Sequence, residues 1–308
     1  MLRNPNRQSQ GTIAAALGVD AGTVSREIRR DGMNRETYCT QRAQAHAEAS
    51  VAPSSTAKSP ELWKVVENYL TGQQWSPEEI SGYLRKNTTH RISHEAIYLH
   101  IYRDQARGGS LYTHLRQGHR KRKRRRSKKD RRGIIKNRVG IEKRPQIVEE
   151  KSRIGDLEMD TVIGRPGGSV LVTIVDRLSK FTLIGLAASK QADDVSAVIY
   201  ELLCDFKGVM KTATYDNGKE FAYHQMLNEM LGIDSYFARP YHSWERGLNE
   251  NTNGLIRQYF PKRSDFGQLT PKEVLRVQNL LNSRPRKTLD YATPNDIFLT
   301  QSQIALPS

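Results

Sequence analysis

The hydrophobic pattern of the first fifty residues predicts two short helices separated by a tight turn. The first is Ala-rich and ends at Gly18, and the second begins near Gly22 or Thr23. Four apolar side chains recur at a spacing that lets the helices pack together: Ile13, Leu17, Val24 and Ile28. Five polar residues are then left facing outward: Thr23, Ser25, Arg26, Arg29 and Arg30. This is the helix-turn-helix pattern, whose second helix enters the major groove of DNA, and an ordinary helical hairpin is the alternative.

The first module is predicted to cover residues 1–49 and to be truncated at its start. Only eleven residues, most of them polar, precede Thr12, which is too few for a well-packed leading helix. A Ser- and Pro-rich stretch at residues 50–60 then indicates a linker.

A second helical module is predicted at residues 61–117. Leu62, Val66 and Leu70 recur at helical spacing. Two further helices each begin with an N-cap serine, Ser76 and Ser93, and the first of them also has Pro and Glu at favoured positions of its first turn. A short helix, a break and a capped helix repeat the helix-turn-helix arrangement.

From about residue 153 the pattern changes to alternating strands and helices, which predicts an α/β domain at residues 151–308. Strand-like runs lie at 157–164, 170–175, 181–186, 212–216 and 235–238. The run at 170–175 is continuously apolar, as expected of a central buried strand. Helical runs lie at 193–206, 221–231 and 271–282, and a further run between the second and third of these ends at Tyr259. The order β-β-β-α-β-α-β-α is that of the ribonuclease-H-like fold, here preceded by all-α helix-turn-helix modules.

Composition adds a polyanion as the expected partner. The 308 residues carry a net charge of +16, and only 37% of them are hydrophobic, with a mean hydropathy of −0.68 and a pI near 9.9. Such an excess of positive charge favours nucleic acid. We expect no membrane contact, because no apolar run approaches the roughly 18 residues of a membrane span. The two cysteines, Cys39 and Cys204, are isolated, which fits a reducing cytosol and excludes a structural zinc site.

About ten of the sixteen net charges lie in fourteen residues within a basic linker at residues 118–150. We predict a disordered tether that neutralises DNA phosphates without reading sequence. Its seven consecutive basic residues are Arg120, Lys121, Arg122, Lys123, Arg124, Arg125 and Arg126.

Three carboxylates stand at positions where they could converge. Asp160 lies in the first strand-like run of the α/β region, Asp216 ends a later one, and Glu250 lies in a helical run after 33 further residues. Hard oxygen ligands on two strands and a helix suit a magnesium site, and such a site can cut and join phosphodiester bonds. Competitors for the three places are Asp156, Glu158, Asp176 and Glu245, although Asp176 begins a turn and favours an N-cap or ion-pair role.

Three runs closely resemble bacterial transposases of the insertion-sequence-thirty family: residues 216–221 (DNGKEF), 244–262 (WERGLNENTNGLIRQYFPK) and 281–287 (LNSRPRK). The resemblance extends over nearly the whole chain. It implies that Asp160, Asp216 and Glu250 are the DDE triad of an integrase-type core. The family usually has Trp-Glu-Gly-Asp around the first Asp, where this chain has Leu157-Glu158-Met159-Asp160.

The implied activity is metal-dependent DNA cleavage and strand transfer with two Mg²⁺ or Mn²⁺ ions per active site and no small-molecule cofactor. The implied partners are double-stranded DNA, both element ends and target, and further copies of the chain, in the bacterial cytoplasm at the nucleoid. Four residues near the triad are candidates for DNA phosphate contacts: Lys219, Asn253, Arg257 and Lys262. Two alternatives stay open here, namely a catalytically inactive helix-turn-helix regulator and a nuclease of the same fold that acts on RNA-containing duplexes.

Overall fold

The structure is a computed structural model that describes residues 9–29, 38–50, 58–116, 135–239 and 242–302. Arg30 and the basic run from Arg120 to Arg126 lie outside these residues, so the DNA-binding predictions for them stay predictions. The chain forms two compact units, Met1–Pro60 and Glu61–Ser308.

The first unit contains α1 (Gln10–Leu17), α2 (Ala21–Arg29) and α3 (Thr40–Ser50). The Ser9 side chain caps α1 by accepting from the amide of Thr12, and Gly18 ends the helix with a φ of 64°. The two predicted helices are therefore present, with α2 beginning slightly earlier than expected. The packing prediction for Leu17 was wrong: its side chain is 67% exposed, because α1 and α2 bury Ala14 and Val24 instead.

The second unit begins with three helices, α4 (Pro60–Thr71), α5 (Pro77–Asn87) and α6 (His94–Ala106). Their contact surface is a continuous apolar cluster that includes Leu62, Val66 and Leu70 of α4. At the start of α5, Ser76 and Glu79 form the reciprocal cap that the sequence predicted, with each side chain accepting from the other residue's amide.

The rest of the unit is a five-stranded sheet with helices on both faces. Its strands are β1 (Asp156–Ile163), β2 (Val170–Asp176), β3 (Thr182–Ala187), β4 (Thr212–Tyr215) and β5 (Asp234–Phe237). Its helices are α7 (Gln146–Glu150), α8 (Ala192–Leu203), α9 (His224–Leu231), α10 (Gly247–Tyr259), α11 (Pro271–Asn282) and α12 (Pro294–Ser302).

The sheet order is β3-β2-β1-β4-β5. Strand β2 pairs antiparallel with both β1 and β3. Strand β4 pairs parallel with β1, and β5 pairs parallel with β4. One face buries Met159 and Ile174 beneath α8 and α9, and the other buries Val162 beneath α10 and α11. This arrangement confirms the predicted ribonuclease-H-like α/β core.

The α4–α6 helices and the sheet share one compact unit because the C-terminal segment binds both. The guanidinium of Arg284 is fully buried; it donates to the Gln74 carbonyl at 2.7 Å and to the Tyr259 hydroxyl at 2.8 Å. The ring of Tyr291 lies against the backbone of Gly82, where an added Cβ would come within 2.0 Å of it. The division of this unit into a helical module and a catalytic core stays a prediction.

Cys39 and Cys204 are both free thiols. Within the described ranges, no helix has the length and apolar character needed to span a bilayer.

Candidate active site

The two aspartates of the predicted triad are brought together by backbone pairing. Strands β1 and β4 are parallel, with Asp156 opposite Thr212 and Glu158 opposite Thr214. Parallel strands advance together and side chains alternate faces with period two. Continuing this register by two residues places Asp160 and Asp216 side by side on the same face, at the end of β4.

A single guanidinium group confirms that the two carboxylates are neighbours. Arg246 lies immediately before α10, and its Nη1 is 3.5 Å from Asp160 Oδ1 while its Nη2 is 3.7 Å from Asp216 Oδ2. Its side chain is only 14% exposed. Local hydrogen bonds also orient the carboxylates: Asp160 Oδ1 accepts from the Thr161 amide as well, and Asp216 Oδ1, the oxygen that does not face Arg246, accepts from the Gly218 amide.

Helix α10 presents a polar stripe to this pair. Asn253 donates from Nδ2 to Asp160 Oδ2 at 2.8 Å, and Arg246 touches the same carboxylate from the N-terminal end of the helix. Residues three and four apart are neighbours on a helix surface. Glu250 lies three residues before Asn253 within α10, so it occupies the same side of the helix. Its side chain is exposed.

The buried carboxylate of Glu158 fixes where α10 begins. Glu158 accepts from the Asn249 amide at 3.3 Å and from Arg177 at 2.8 Å. An external carboxylate at a free helix N-terminus satisfies an unpaired amide and complements the helix dipole. Burial raises the pKa of Glu158, and the Arg177 charge and the Asn249 amide oppose that rise. Glu158 thus serves to dock the helix that carries Glu250.

The other competing carboxylates are also engaged elsewhere. Asp156 is fully buried and accepts from Arg153 and Thr212. Asp176 accepts from Ser179 within the turn that follows β2, as its turn sequence indicated. Glu245 pairs with a nearby arginine at 2.7 Å.

The electrostatics of the aspartate pair favour a bound cation. Burial raises the pKa of the Asp160 carboxyl, the positive charge of Arg246 lowers it, and the like charge of Asp216 raises it. A half-buried pair of carboxylates that already attracts a guanidinium fits divalent ions that prefer oxygen ligands, such as Mg²⁺ and Mn²⁺. In the parts of the chain that the structure describes, no three His, Cys, Asp or Glu side chains form a group that could hold a metal as they stand.

Glu220 stabilises the loop that follows Asp216, a role that the sequence pattern did not predict. Glu220 is 4% exposed; it accepts from the Thr161 hydroxyl at 3.0 Å and pairs with Lys190 at 2.8 Å. It therefore ties the loop to the residue next to Asp160. Its place in the 216–221 run was the available signal.

The predicted DNA contacts lie in both units of the chain. Thr23, Arg26 and Arg29 are exposed on α2 and Ser25 is half-buried there. Lys219 and Lys262 are exposed in the second unit. Asn253 is held by Asp160, and Arg257 donates to the Ile163 carbonyl at 2.6 Å.

Comparisons with known proteins place this arrangement in context. The family model described as an integrase core domain matches residues 152–243, which include both aspartates and end before Glu250. The transposase for insertion sequence element IS4351 of Bacteroides fragilis is 42% identical, over 100% of this chain and 95% of that protein. The transposase for IS1086 of Cupriavidus metallidurans is 35% identical, over 93% and 87% of the two chains. The transposase InsI for IS30A of Escherichia coli K12 is 36% identical, over 95% and 79%.

Proposed function

The chain belongs to the family of insertion-sequence transposases that includes those of IS4351, IS1086 and IS30, and from this premise we propose that Asp160, Asp216 and Glu250 are its catalytic carboxylates. The protein is a transposase with an integrase core, an enzyme of DNA transposition. An inactive regulator is not favoured, because the relatives along the full chain are transposases. The observation that carries the residue assignment is the parallel register of β1 and β4, which continues to Asp160 and Asp216, together with the contact of Arg246 with both carboxylates.

The three carboxylates would hold two Mg²⁺ or Mn²⁺ ions. Two bound ions supply activation of the attacking water or 3′-hydroxyl and charge neutralisation at the leaving oxygen. Asn253 keeps one oxygen of Asp160 in place, and the Gly218 amide does the same for Asp216. Glu158 docks α10, and so sets the position from which Glu250 reaches the pair.

The proposed substrates are double-stranded element ends and target DNA. Exposed Lys219 and Lys262 would contact DNA phosphates near the triad, as would Arg257 and Asn253. Thr23, Ser25, Arg26 and Arg29 of α2 would contact the element end. The basic run from Arg120 to Arg126 would add salt-dependent affinity. Since transposition acts on two DNA ends, we propose a homo-oligomer that works at the nucleoid in the bacterial cytoplasm.

The test is strand cleavage and joining on a labelled duplex that carries the element end, with Mg²⁺, Mn²⁺ or EDTA. Asp160→Asn, Asp216→Asn and Glu250→Gln should each lower metal-dependent nicking by about a thousandfold or more, because each removes a ligand worth several kcal/mol in the transition state. DNA binding should be retained. Glu201→Gln, which neutralises an exposed carboxylate on α8, is the matched control and should nick normally.

Normal nicking by any of the three triad variants would refute the assignment of that residue. Tight, salt-sensitive binding of the duplex by the wild type with no cleavage under any metal would instead favour the inactive regulator.

A further inference from the structure

Arg246 makes contacts that differ from those of a structural arginine. Its two contacts with the aspartates, at 3.5 and 3.7 Å, are longer than charge-assisted hydrogen bonds of about 2.7–2.9 Å. Its one hydrogen bond to a described residue joins Nη1 to the Met159 carbonyl at 3.4 Å. Its Nε is buried and has no partner among the residues that the structure describes.

Arg177, which directly follows β2, makes the contacts expected of a structural arginine. Its Nε, Nη1 and Nη2 all donate, to the Val148 carbonyl, Glu158 and Glu149, at 2.8 to 3.2 Å. The Arg246 side chain, 14% exposed against 3% for Arg177, is attracted to its carboxylates mainly by charge. A cation held mainly by charge can be displaced by another cation that coordinates the same oxygens.

We propose that Arg246 is an internal competitor for the metal site: it neutralises Asp160 and Asp216 in the free protein and must leave them when divalent ions bind. The inference rests on the proposed function, because it takes these aspartates as metal ligands. Magnesium binds carboxylate oxygens at about 2.0–2.1 Å and tolerates little distortion. A guanidinium that lies between the same two carboxylates would meet these ions at short range and with like charge, so the two occupancies exclude each other.

The displaced side chain has a natural new partner. A planar guanidinium binds phosphate well, and Arg246 stands at the start of α10, the helix that flanks the triad. A DNA phosphate beside the triad would therefore bind the Arg246 guanidinium after it has left the aspartates. By linkage, DNA would raise the affinity for metal, and metal the affinity for DNA. Arg246 would thus keep the site weakly loaded until DNA is present.

The first test measures Mn²⁺ affinity of the full chain without DNA by isothermal titration calorimetry. Arg246→Gln should bind Mn²⁺ at least about tenfold more tightly than the wild type, which means a Kd at least about tenfold lower. Arg165→Gln removes the same charge from an arginine that pairs with Asp265 and is 70% exposed, and it should bind Mn²⁺ like the wild type. Unchanged or weaker Mn²⁺ binding by Arg246→Gln would overturn the inference.

Asp160→Asn separates this inference from the proposed function. If Asp160→Asn loses Mn²⁺ binding while Arg246→Gln keeps wild-type affinity, only the competitor role fails. If no variant binds Mn²⁺, or if Asp160→Asn binds it normally, the proposed metal site fails and the competitor role fails with it.

A second measurement uses the wild type alone and so does not depend on the folding of a variant. Phenylglyoxal modification of Arg246, followed by mass spectrometry, should increase when Mn²⁺ is added in the absence of DNA. Arg177 is 3% exposed and provides the internal reference, with low reactivity throughout. Equal modification of Arg246 with and without Mn²⁺ would overturn the inference.

Discussion

Gly155 is the residue at the entry to β1 where a single methyl group should do the most damage. Its φ is +95°, a region that side chains other than glycine adopt only at a cost. Its amide donates to Asp176 at 2.8 Å, and its carbonyl accepts from the amides of Lys211 and Thr212 at 2.7 and 3.1 Å. These bonds start the pairing of β1 with β4, the two strands that position Asp160 and Asp216.

The structure allows the cost of Gly155→Ala to be divided into two parts. The left-handed backbone costs an L-residue roughly 1–2 kcal/mol. In addition, a Cβ on Gly155 would lie 2.2 Å from the carbonyl oxygen of Val209, and that backbone has to shift, at about 1–3 kcal/mol. We therefore expect Gly155→Ala to lower the free energy of unfolding by about 2–5 kcal/mol.

Gly208→Ala is the matched control, because Gly208 has a φ of +91° and a Cβ there would meet nothing within 4 Å. It should lose only the backbone part, about 1–2 kcal/mol. The assay is urea denaturation followed by far-UV circular dichroism, with the variants compared at a common slope. Equal losses for the two variants would refute the steric part of the reasoning. If Gly155→Ala folds, it should also nick DNA more slowly than Gly208→Ala, since only the former displaces β4 from β1.

Two further changes test the site and its surroundings. A Cβ on Gly218 would come within 2.3 Å of the Glu220 carboxylate and 2.7 Å of the Asp216 carboxylate, so Gly218→Ala should displace the loop that carries both and slow nicking by at least about tenfold; a wild-type nicking rate would contradict this. Burial lowers the pKa of Lys180 from 10.5 to about 8, so the unfolded chain binds more protons between these values and folding stability should rise with pH across that range. Lys180→Met should lack this rise, and parallel stability profiles for the two proteins in that range would exclude the effect.

The strands and the aspartate pair could be predicted from the sequence because short-range patterns determine them. The continuous apolar run of β2 predicts burial on both faces, and every residue of the strand is buried, between β1 and β3. Each of the two aspartates lies within or directly after a strand whose neighbours are fixed by hydrophobic burial. Their alignment then follows from the parallel register.

Elements whose position depends on distant packing could not be predicted from the sequence. Helix α12 (Pro294–Ser302) was not predicted, although Thr293 and Asp296 accept from each other's amides at its start. The helix is stabilised by the packing of Phe298, which is fully buried and stacks on Phe181 at 4.2 Å between ring centroids. Leu17 shows the opposite error, because a two-helix contact as small as that of α1 and α2 does not cover every apolar residue that has helical spacing.

The polar residues around the start of α10 show why the sequence alone does not tell which way a polar side of a helix faces. Glu250 and Asn253 share one side of α10 by their spacing alone, with Arg246 just before the helix, and such a stripe usually faces water. What turns it toward the sheet is the buried bond between Glu158 and the Asn249 amide, a contact across 91 residues. Glu158 in turn is held by Arg177. Glu158, the acidic residue that shares the Asp160 face of β1, is therefore the one that docks the helix carrying Glu250 and Asn253.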